Sequence, residues 1–378
     1  MTLCNGARRR FLGRAGALSL SAAGIPSAFA QADGMRATIA PLVRTYLQRW
    51  SLPGLSLAVG RGGHIDFAGA FGTADRANDE RLTPAARMRI ASLSKAFTST
   101  AILRLIEAKA LSLDTAVFGE SGVLNQFSLD DAPHRDWLRA ITVHHLLTHT
   151  CGGWDNTRND PMFETPRLDH AQLIAHTLAT HPLQAPPGTR YAYSNFGYCV
   201  LGRVIERIGA LPYQQYVNRT MLHPLGIADM RIATREPAPG ETRYFDAQPA
   251  SPYDMPIFRM DSHGGWIATP SDLVRFVASV FAATDGSDAT PLLTPASVAT
   301  ARQGTAANPH YGCGWVTNAI GNTWHNGSLP GTSSIMVHTR HGLCWAAIVN
   351  ARRPDTQQEA ELDRLMWDIV RTQPQWQA

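Results

Sequence analysis

The chain contains 32 arginines and two lysines, and one lysine, Lys95, lies three residues after Ser92 in "RIASLSKAFTST". Ser92 stands where the sequence pattern becomes helical, and residues three apart share a helix face, so the two side chains can touch. The positive end of the helix dipole disfavours an ammonium and favours negative charge on a serine oxygen. Arginine could not replace a lysine that must lose its proton. The spacing therefore predicts a serine nucleophile with a lysine general base.

Two later stretches hold partners for this chemistry. "YAYSNFGY" contains Tyr193 and Asn195, and "WHNGSLPG" contains His325, Gly327 and Ser328. Ser-x-x-Lys, then Tyr-x-Asn about a hundred residues on, then Lys/His-x-Gly on a late strand resembles the penicillin-recognising serine hydrolases. The branch is that of class C β-lactamases, D-alanyl-D-alanine peptidases and β-lactamase-related esterases. Segments such as "ITVHHLLTHTCGG", "LHPLGIADM" and "GGWIATPSDLVRF" are also similar to family segments.

The resemblance implies a role for each residue of the first two motifs. Ser92 attacks a carbonyl and forms an acyl-enzyme, while Lys95 takes or stabilises its proton. Tyr193 acts as a second base, with its pKa lowered by neighbouring positive charge, and passes a proton to the leaving group. Asn195 hydrogen-bonds the substrate and Lys95.

The third motif and its surroundings are expected to hold the substrate. The resemblance implies an oxyanion hole made of the backbone N–H groups of Ser92 and Ser328. Gly327 lets the late strand approach the substrate backbone. Trp154 follows "CGG", where an aromatic side chain either lines the acyl pocket or belongs to the core.

His325 departs from the β-lactamase pattern, which has a lysine at this position. Histidine at its ordinary pKa is mostly neutral at pH 7 and resembles the esterases and peptidases of the family. We therefore expect a serine hydrolase of small esters, amides or peptides, and expect carboxylated substrates to gain as falling pH charges His325. The alternatives are a class C-type β-lactamase or D-alanyl-D-alanine carboxypeptidase, and a penicillin-binding sensor without turnover.

Two other patterns suggest different chemistry. His145 and His149 have a spacing that could bind zinc on a helix, but no third ligand is evident in the sequence. "SHGGW" at 262–266 is similar to the oxyanion loop of α/β-hydrolases, yet the chain has no Gly-x-Ser-x-Gly. We expect neither a metal nor a cofactor.

The order of elements predicts an α+β fold of the β-lactamase/transpeptidase type. Strand-like segments at both ends, 31–88 and 302–378, are expected to form one antiparallel sheet domain covered by the first and last helices. Residues 89–301 are expected to form an inserted, mostly helical domain. A site would then lie in the crevice between them.

Residues 1–30 have the pattern of an export signal. The run Arg8 to Arg10 precedes a modestly apolar stretch, and "AFA" at 28–30 offers a cleavage site. "RRRFL" also matches a twin-arginine signal, with an ordinary secretory signal as the alternative. We expect a periplasmic or secreted protein with its mature N-terminus at Gln31.

Charge and hydropathy limit the partners of the mature chain. The four arginines of residues 1–30 account for the whole formal excess of +4, so nucleic acid is not an expected partner. The sequence contains no apolar run of 20 residues, so we do not expect a membrane anchor. The expected partner is a small-molecule ester, amide or peptide, and the sequence does not specify an oligomeric state.

Four cysteines remain after residue 30: Cys151, Cys199, Cys313 and Cys344. An oxidising compartment allows three pairings of four cysteines, and buried thiols are the alternative. Cys313 and Cys344 are both expected on strands of the C-terminal sheet, where they could pair.

Overall fold

The structure, a computed structural model, describes residues 25–157, 160–246, 251–353 and 355–377. The helices in these residues are α1 (Ile25–Trp50), α2 (Ser94–Glu107), α3 (Arg135–Arg139), α4 (Val143–Leu147), α5 (Pro161–Glu164), α6 (His170–Thr180), α7 (Asn195–Gly209), α8 (Tyr213–Val217), α9 (Pro270–Asp285), α10 (Pro295–Arg302) and α11 (Thr356–Arg371). The strands are β1 (Gly54–Arg61), β2 (His64–Asp75), β3 (Glu80–Arg81), β4 (Met88–Arg89), β5 (Arg231–Ile232), β6 (Phe245–Asp246), β7 (Trp266–Ala268), β8 (Val316–Thr317), β9 (Thr323–Leu329), β10 (Thr332–His338), β11 (Leu343–Val349) and β12 (Ala351–Arg352).

Seven of the strands form one antiparallel sheet in the order β3-β2-β1-β11-β10-β9-β8. Both ends of the chain therefore contribute to the same sheet, with β1 paired directly to β11. The glycine pair in Arg61-Gly62-Gly63, between two strand-like runs, predicts a hairpin turn, and β1 and β2 pair across it. Gly62 and Gly63 have φ of +57° and +80°, as a two-residue turn of this kind requires. The remaining strands form two small sheets, β12–β6 and β4–β7–β5.

The central strand β11 shows how the sheet is buried on both faces. All seven of its residues are buried, and successive side chains point to opposite faces. Trp345 and Ala347 pack into the core formed with α1 and α11, whereas Ala346 and Ile348 pack into the core that includes α2 and α9. The sheet is thus a middle layer between the two terminal helices and the helical part of the chain.

Helix α9 lies against this second face, although its sequence falls within the segment expected to form a separate helical domain. Phe276 of α9 stacks on Phe97 of α2 with ring centroids 3.8 Å apart. Helix α9 thereby joins the sheet to the helix that begins beside Ser92. The α+β fold class is confirmed, and the division of the chain at 88/89 and 301/302 stays a prediction.

The N-terminal helix is longer than the sequence pattern indicates. Periodicity predicts a helix over 35–50, and α1 begins at Ile25. Residues 1–24, which hold most of the expected export signal, lie outside the described residues. Within the described ranges, no helix combines the length and apolarity needed to span a membrane.

The expectation that Cys313 and Cys344 pair is wrong. Both are buried free thiols, as are Cys151 and Cys199. Cys313 lies in the bend before β8 rather than on a strand, and β8 is three strand positions away from β11, which carries Cys344. At about 4.8 Å per position this separation is roughly 14 Å, about twice the limit of about 7 Å between bridged Cα atoms.

Candidate active site

Ser92 lies in a single 3₁₀ turn, Ala91–Leu93, that leads directly into α2. Ala91 has φ of +49°, a left-handed conformation that is uncommon for residues other than glycine. The Ser94 hydroxyl donates to the Ala91 carbonyl at 2.7 Å and closes the turn. Ala91 and Leu93 are buried while Ser92 between them is partly exposed. The turn therefore presents the Ser92 hydroxyl to a cavity at the positive end of a helix.

Lys95 is fully buried one turn further along, and its Nζ contacts three oxygen atoms. It lies 3.1 Å from Ser92 Oγ, 2.7 Å from Asn195 Oδ1 and 3.0 Å from the His263 carbonyl oxygen. The amide and carbonyl oxygens can only accept hydrogen bonds. A neutral amine has two N–H groups for these two acceptors, which leaves its lone pair for the Ser92 hydroxyl proton.

Burial favours this neutral form of Lys95. Removal from water lowers the Lys95 pKa to about 7, against a smaller opposing effect from Asp160. Desolvation penalises the charged form of any amine, and an ordinary lysine is almost entirely protonated at neutral pH. Lys95 can therefore accept a proton near neutrality, as the sequence predicts for a general base.

A buried carboxylate orients Asn195, and the sequence did not predict it. Asp160, the N-cap of α5, accepts a hydrogen bond from Asn195 Nδ2 at 2.7 Å and another from the Met162 backbone N–H at 3.0 Å. Since Asn195 donates to this carboxylate, its Oδ1 faces Lys95. Burial raises the pKa of Asp160, while its bond with Asn195 opposes that rise. The Asp-Pro pair at 160–161 signals a helix start and gives no indication of this contact.

The expected lowering of the Tyr193 pKa is wrong. Tyr193 is beside the cavity with Lys95 Nζ 4.8 Å from its ring centroid. Burial nevertheless raises its pKa well above the ordinary value, although a hydrogen bond with Ser92 lowers it in part. Loss of hydration is the largest effect, and the nearby Tyr191 and Asp160 raise the pKa further. Tyr193 is therefore a neutral phenol next to Ser92, suited to donate a proton and not to remove one.

Strand β9 lies directly against the Ser92 turn, and Gly327 makes this possible. A Cβ atom at Gly327 would stand 2.3 Å from the Ile90 carbonyl oxygen and 3.0 Å from Leu93 Cδ1. Real atoms do not approach so closely, so any side chain here would push β9 away from Ser92. Gly327 was expected to let the strand approach the substrate backbone. In the structure, Gly327 lets β9 approach the backbone of the Ser92 segment.

The hairpin between β9 and β10 directs the backbone of Ser328. Leu329 pairs with Thr332 across a two-residue loop, and such a closing pair exchanges hydrogen bonds. Because hydrogen-bonded and non-bonded pairs alternate, the Ser328 N–H points away from β10 to the outer edge of β9. Strand β8 pairs with this edge only at Thr323 and Trp324. The Ser328 N–H therefore lies at a part of the β9 edge that β8 does not cover, and Ser328 lines the cavity beside Ser92.

His325 is held as a neutral imidazole by its neighbours. Its Nδ1 lies 2.6 Å from the Asn326 carbonyl oxygen and must donate, so its Nε2 accepts from the Tyr311 hydroxyl at 3.1 Å. Tyr311 in turn lies 3.2 Å from His149 Nε2, and His149 Nδ1 accepts from the Ser194 backbone N–H. His149 Nε2 therefore donates to Tyr311, and the bonds form one chain in a single direction.

The expectation that falling pH charges His325 is wrong, because this series of hydrogen bonds uses a neutral His325. Burial, with a further contribution from Lys95, lowers the His325 pKa to about 3. The pKa of His149 is also lowered well below its ordinary value by burial. Both imidazoles are neutral throughout the range in which the protein would work, so His325 supplies no cation to a carboxylated substrate.

Trp154 does not belong to the site. It is buried, its Nε1 donates to the His181 carbonyl at 3.1 Å, and its ring packs edge-on against Phe196. The cavity beside Ser92 is not lined by Trp154. The acyl-pocket interpretation is therefore wrong, because the indole packs in the core behind the cavity.

The histidine pair with zinc-like spacing has other contacts. His145 Nδ1 accepts from the Thr142 backbone N–H in the cap of α4, while His149 belongs to the chain with Tyr311 and His325. Across the described ranges, no three His, Cys, Asp or Glu side chains are grouped so that they could hold a metal ion.

These residues surround a cavity of about 660 Å³. It is lined by residues of the Ser92 turn, the 260–264 loop and β9, together with Asn156, Asp160, Phe163, Arg352, Thr356 and Glu359. Of the residues expected from sequence, Ser92, Tyr193, Asn195, His325, Gly327 and Ser328 line this cavity. Lys95 lies beneath Ser92. His149 falls in "ITVHHLLTHTCGG" and Tyr311 begins "YGCGW", which is also similar to a family segment. Only the contacts of these two residues with distant segments indicate a role.

The structure combines one antiparallel sheet with helices and places a serine at a helix start beside a buried lysine, and these features define the class of protein. The family described as Beta-lactamase matches residues 39–368. The chain belongs to this family.

Curated relatives and solved structures agree with this assignment. Penicillin-binding protein 4 of Amycolatopsis lactamdurans is 28% identical over 68% of this chain and 66% of its own length. Esterase EstB of Burkholderia gladioli is 30% identical over 59% of this chain and 58% of its own length. The alignments thus span less than two thirds of these relatives. D-amino acid amidase of Ochrobactrum anthropi SV3 superposes with a TM-score of 0.72 at 22% identity, covering 90% of this chain and 99% of its own, and shows the fold alone.

Proposed function

We propose that this protein is a serine hydrolase that cleaves a small ester or amide through an acyl-enzyme on Ser92. The observation that carries the proposal is the environment of Lys95, whose two acceptor contacts leave a lone pair for the Ser92 proton 3.1 Å away. Relatives named as an esterase and a penicillin-binding protein support the same reaction class.

The proposed reaction begins with attack of Ser92 Oγ on the substrate carbonyl. The hydroxyl proton moves to Lys95 Nζ as the new C–O bond forms. The backbone N–H groups of Ser92 and Ser328 stabilise the negative charge on the carbonyl oxygen. Tyr193 donates its phenolic proton to the leaving group as the old bond breaks, and it regains a proton from the Lys95 ammonium. A water molecule then attacks the acyl carbon and gives a proton to Lys95. As the bond to Ser92 Oγ breaks, Lys95 returns this proton to Ser92 Oγ and the acid is released.

The proposed substrates are uncharged next to the bond that is cleaved. A permanent cation in the third motif would anchor a carboxylate on the leaving-group side, and the neutral His325 does not provide one. Charge-assisted hydrogen bonds are roughly twice as strong as neutral ones. We therefore expect simple esters to react faster than penicillins.

One experiment distinguishes the proposal from its alternatives. The protein is incubated with p-nitrophenyl butyrate and, separately, with a fluorescent penicillin, with Ser92→Ala as the control. The proposal expects turnover of the ester by the wild type and none above background by Ser92→Ala. Stoichiometric labelling by the penicillin without turnover of either compound would indicate a sensor. A cephalosporin kcat/KM above that of simple esters would indicate a β-lactamase.

We also propose that the protein is exported to the periplasm or secreted. The support is the pattern of residues 1–30, and cleavage after Ala30 would retain the buried α1 positions Met35, Ile39 and Val43. Mass spectrometry of the protein from its native host should find an N-terminus at Gln31. Recovery of residues 1–30 on the soluble cytosolic protein would contradict export.

A further inference from the structure

Arg352 lines the cavity, and its guanidinium has no hydrogen-bond or ion-pair partner among the described residues. Its Nε is buried without a hydrogen-bond acceptor, and none of the described carboxylates lies within ion-pair distance of it. The neighbouring Arg353 differs, since it donates to the Trp50 and Ser51 carbonyls at 2.8 Å. Asp246, the strand partner of Arg352, uses Oδ2 to accept from the Gly331 N–H. A partly buried guanidinium without a partner costs free energy. Binding an anion would offset this cost.

Arg352 is also the only arginine or lysine among the described residues that line the cavity. The two histidines of the lining, His263 and His325, have pKa values lowered by burial and are neutral. Lys95 beneath Ser92 is needed as a neutral base. Among the described residues that line the cavity, the Arg352 guanidinium is therefore the permanent positive charge.

The sheet register places Arg352 near the C-terminal end of β9. Ser333 of β10 pairs with Ser328 on one side and with Val349 on the other. Strand β12, which carries Arg352, continues beyond Val349 in the direction of the β9–β10 turn. Leu329 and Pro330 of that turn line the same part of the cavity.

The leaving group would occupy the opposite part of the cavity. Tyr193, its proton donor in the proposed function, lies with Tyr311 and His325 near the start of β9, with ring centroids 6.1 and 6.3 Å apart. The acyl substituent and the leaving group point in different directions from the attacked carbon. The acyl chain would therefore extend along β9 to the end where Arg352 lies.

The geometry points to Arg352 as a binding site for a carboxylate on the acyl part of the substrate. This inference rests on the proposed function. It names the substrate class as half-esters or half-amides of dicarboxylic acids, or acyl groups of similar form. Guanidinium and carboxylate match in a two-pronged contact that lysine cannot reproduce. Glu359, which lines the same end, opposes a second negative charge and limits the acyl group to one carboxylate.

Matched substrate pairs test this inference. Mono-p-nitrophenyl succinate, glutarate and adipate are compared with p-nitrophenyl butyrate, valerate and hexanoate, which have the same chain lengths and no carboxylate. The quantity measured is the ratio of kcat/KM, carboxylated over uncharged, after subtraction of the Ser92→Ala background. Arg352→Gln should lower the ratio of the best pair about tenfold, as expected for a lost charge-assisted bond. Arg352→Lys should restore only part of it.

Two further variants control for charge and folding. Arg371→Gln removes an exposed positive charge at the end of α11, the helix that follows β12, and should leave the ratio within twofold of the wild type. Glu359→Gln should raise the ratio a few-fold, and this opposite sign decides the question if Arg352→Gln does not fold. A ratio unchanged in Arg352→Gln, or lowered equally in Arg371→Gln, overturns the inference. If the wild type turns over no ester above the Ser92→Ala background, the proposed function itself fails.

Discussion

Burial lowers the pKa of Lys95 to about 7 and that of His325 to about 3, and the two results are chemically opposite. On the amine side of the cavity (Lys95, Asn195 and Asp160), a group with a high ordinary pKa is brought to neutrality and becomes a usable base. On the imidazole side (His149, Tyr311 and His325), burial lowers the pKa values of the two histidines, which ordinarily titrate near neutrality, well below that range. The same physical effect creates a proton acceptor on one side and removes a pH-sensitive charge on the other.

The amine side is tested most strongly by a substitution of Lys95 that keeps the positive charge but cannot lose a proton. Lys95→Arg should lower kcat/KM for p-nitrophenyl butyrate by about 10²- to 10⁴-fold, the usual contribution of general acid–base catalysis. Lys109→Arg is the matched control, since Lys109 is exposed and is the other lysine of the chain. A Lys95→Arg variant with more than about a tenth of the wild-type rate excludes a general-base lysine.

Asp160 tests whether the amine side depends on the orientation of Asn195. Asp160→Asn should lower kcat/KM about 10- to 100-fold, because a buried hydrogen bond to a charged group is lost. It should also move the acid limb of the pH profile to lower pH, because the anion that raises the Lys95 pKa is removed. Asp136→Asn on the exposed surface is the control. A reduced rate with an unmoved limb would assign Asp160 a purely structural role.

Introducing a charge on the imidazole side should change substrate preference. His325→Lys should raise the ratio of kcat/KM for a penicillin over that for p-nitrophenyl butyrate about tenfold near pH 7. His310→Lys, at an exposed position, should leave this ratio unaltered. In the wild type the ratio should not rise between pH 8 and 5.5, since His325 stays neutral. A ratio that rises with an apparent pKa near 6 would show that His325 titrates.

The smallest effect is expected from a substitution that interrupts the hydrogen bonds of the imidazole side without adding a charge. Tyr311→Phe removes the hydroxyl between His149 and His325 and leaves both Nε2 atoms without a partner. The free energy of unfolding should fall by about 1–3 kcal/mol, while the midpoint of the acid limb stays near 7. Thermal or denaturant unfolding and the pH profile measure the two quantities separately. An acid limb that shifts in Tyr311→Phe would mean that the two sides are coupled.

Residues close together in sequence were the easiest to predict. Ser92 and Lys95 are three residues apart, Ser92 in the 3₁₀ turn and Lys95 in the first turn of α2 that follows it. The hairpin at Gly62-Gly63 follows from local turn chemistry. Such features depend on neighbours along the chain, so the sequence contains what is needed to infer them.

Contacts between distant segments could not be read from the sequence in the same way. Asp160 meets Asn195, and Tyr311 meets both His149 and His325, only after the chain has folded. The errors on Tyr193 and His325 have one cause, since sequence shows which charges are near but not how much water is excluded. Cys313 was misplaced because a bend precedes a very short β8, which the apolar pattern does not indicate.

The pH dependence of ester hydrolysis tests the central claim most directly. Protonated Lys95 cannot accept the Ser92 proton, so the rate should fall as pH falls through the Lys95 pKa. We predict that kcat/KM for p-nitrophenyl butyrate, measured from pH 5 to 9 on the wild type, rises as a single ionisation with a midpoint near 7 and then levels off. A profile that is flat from pH 5.5 to 9, or one that rises only above pH 9, would contradict a buried lysine base at Ser92.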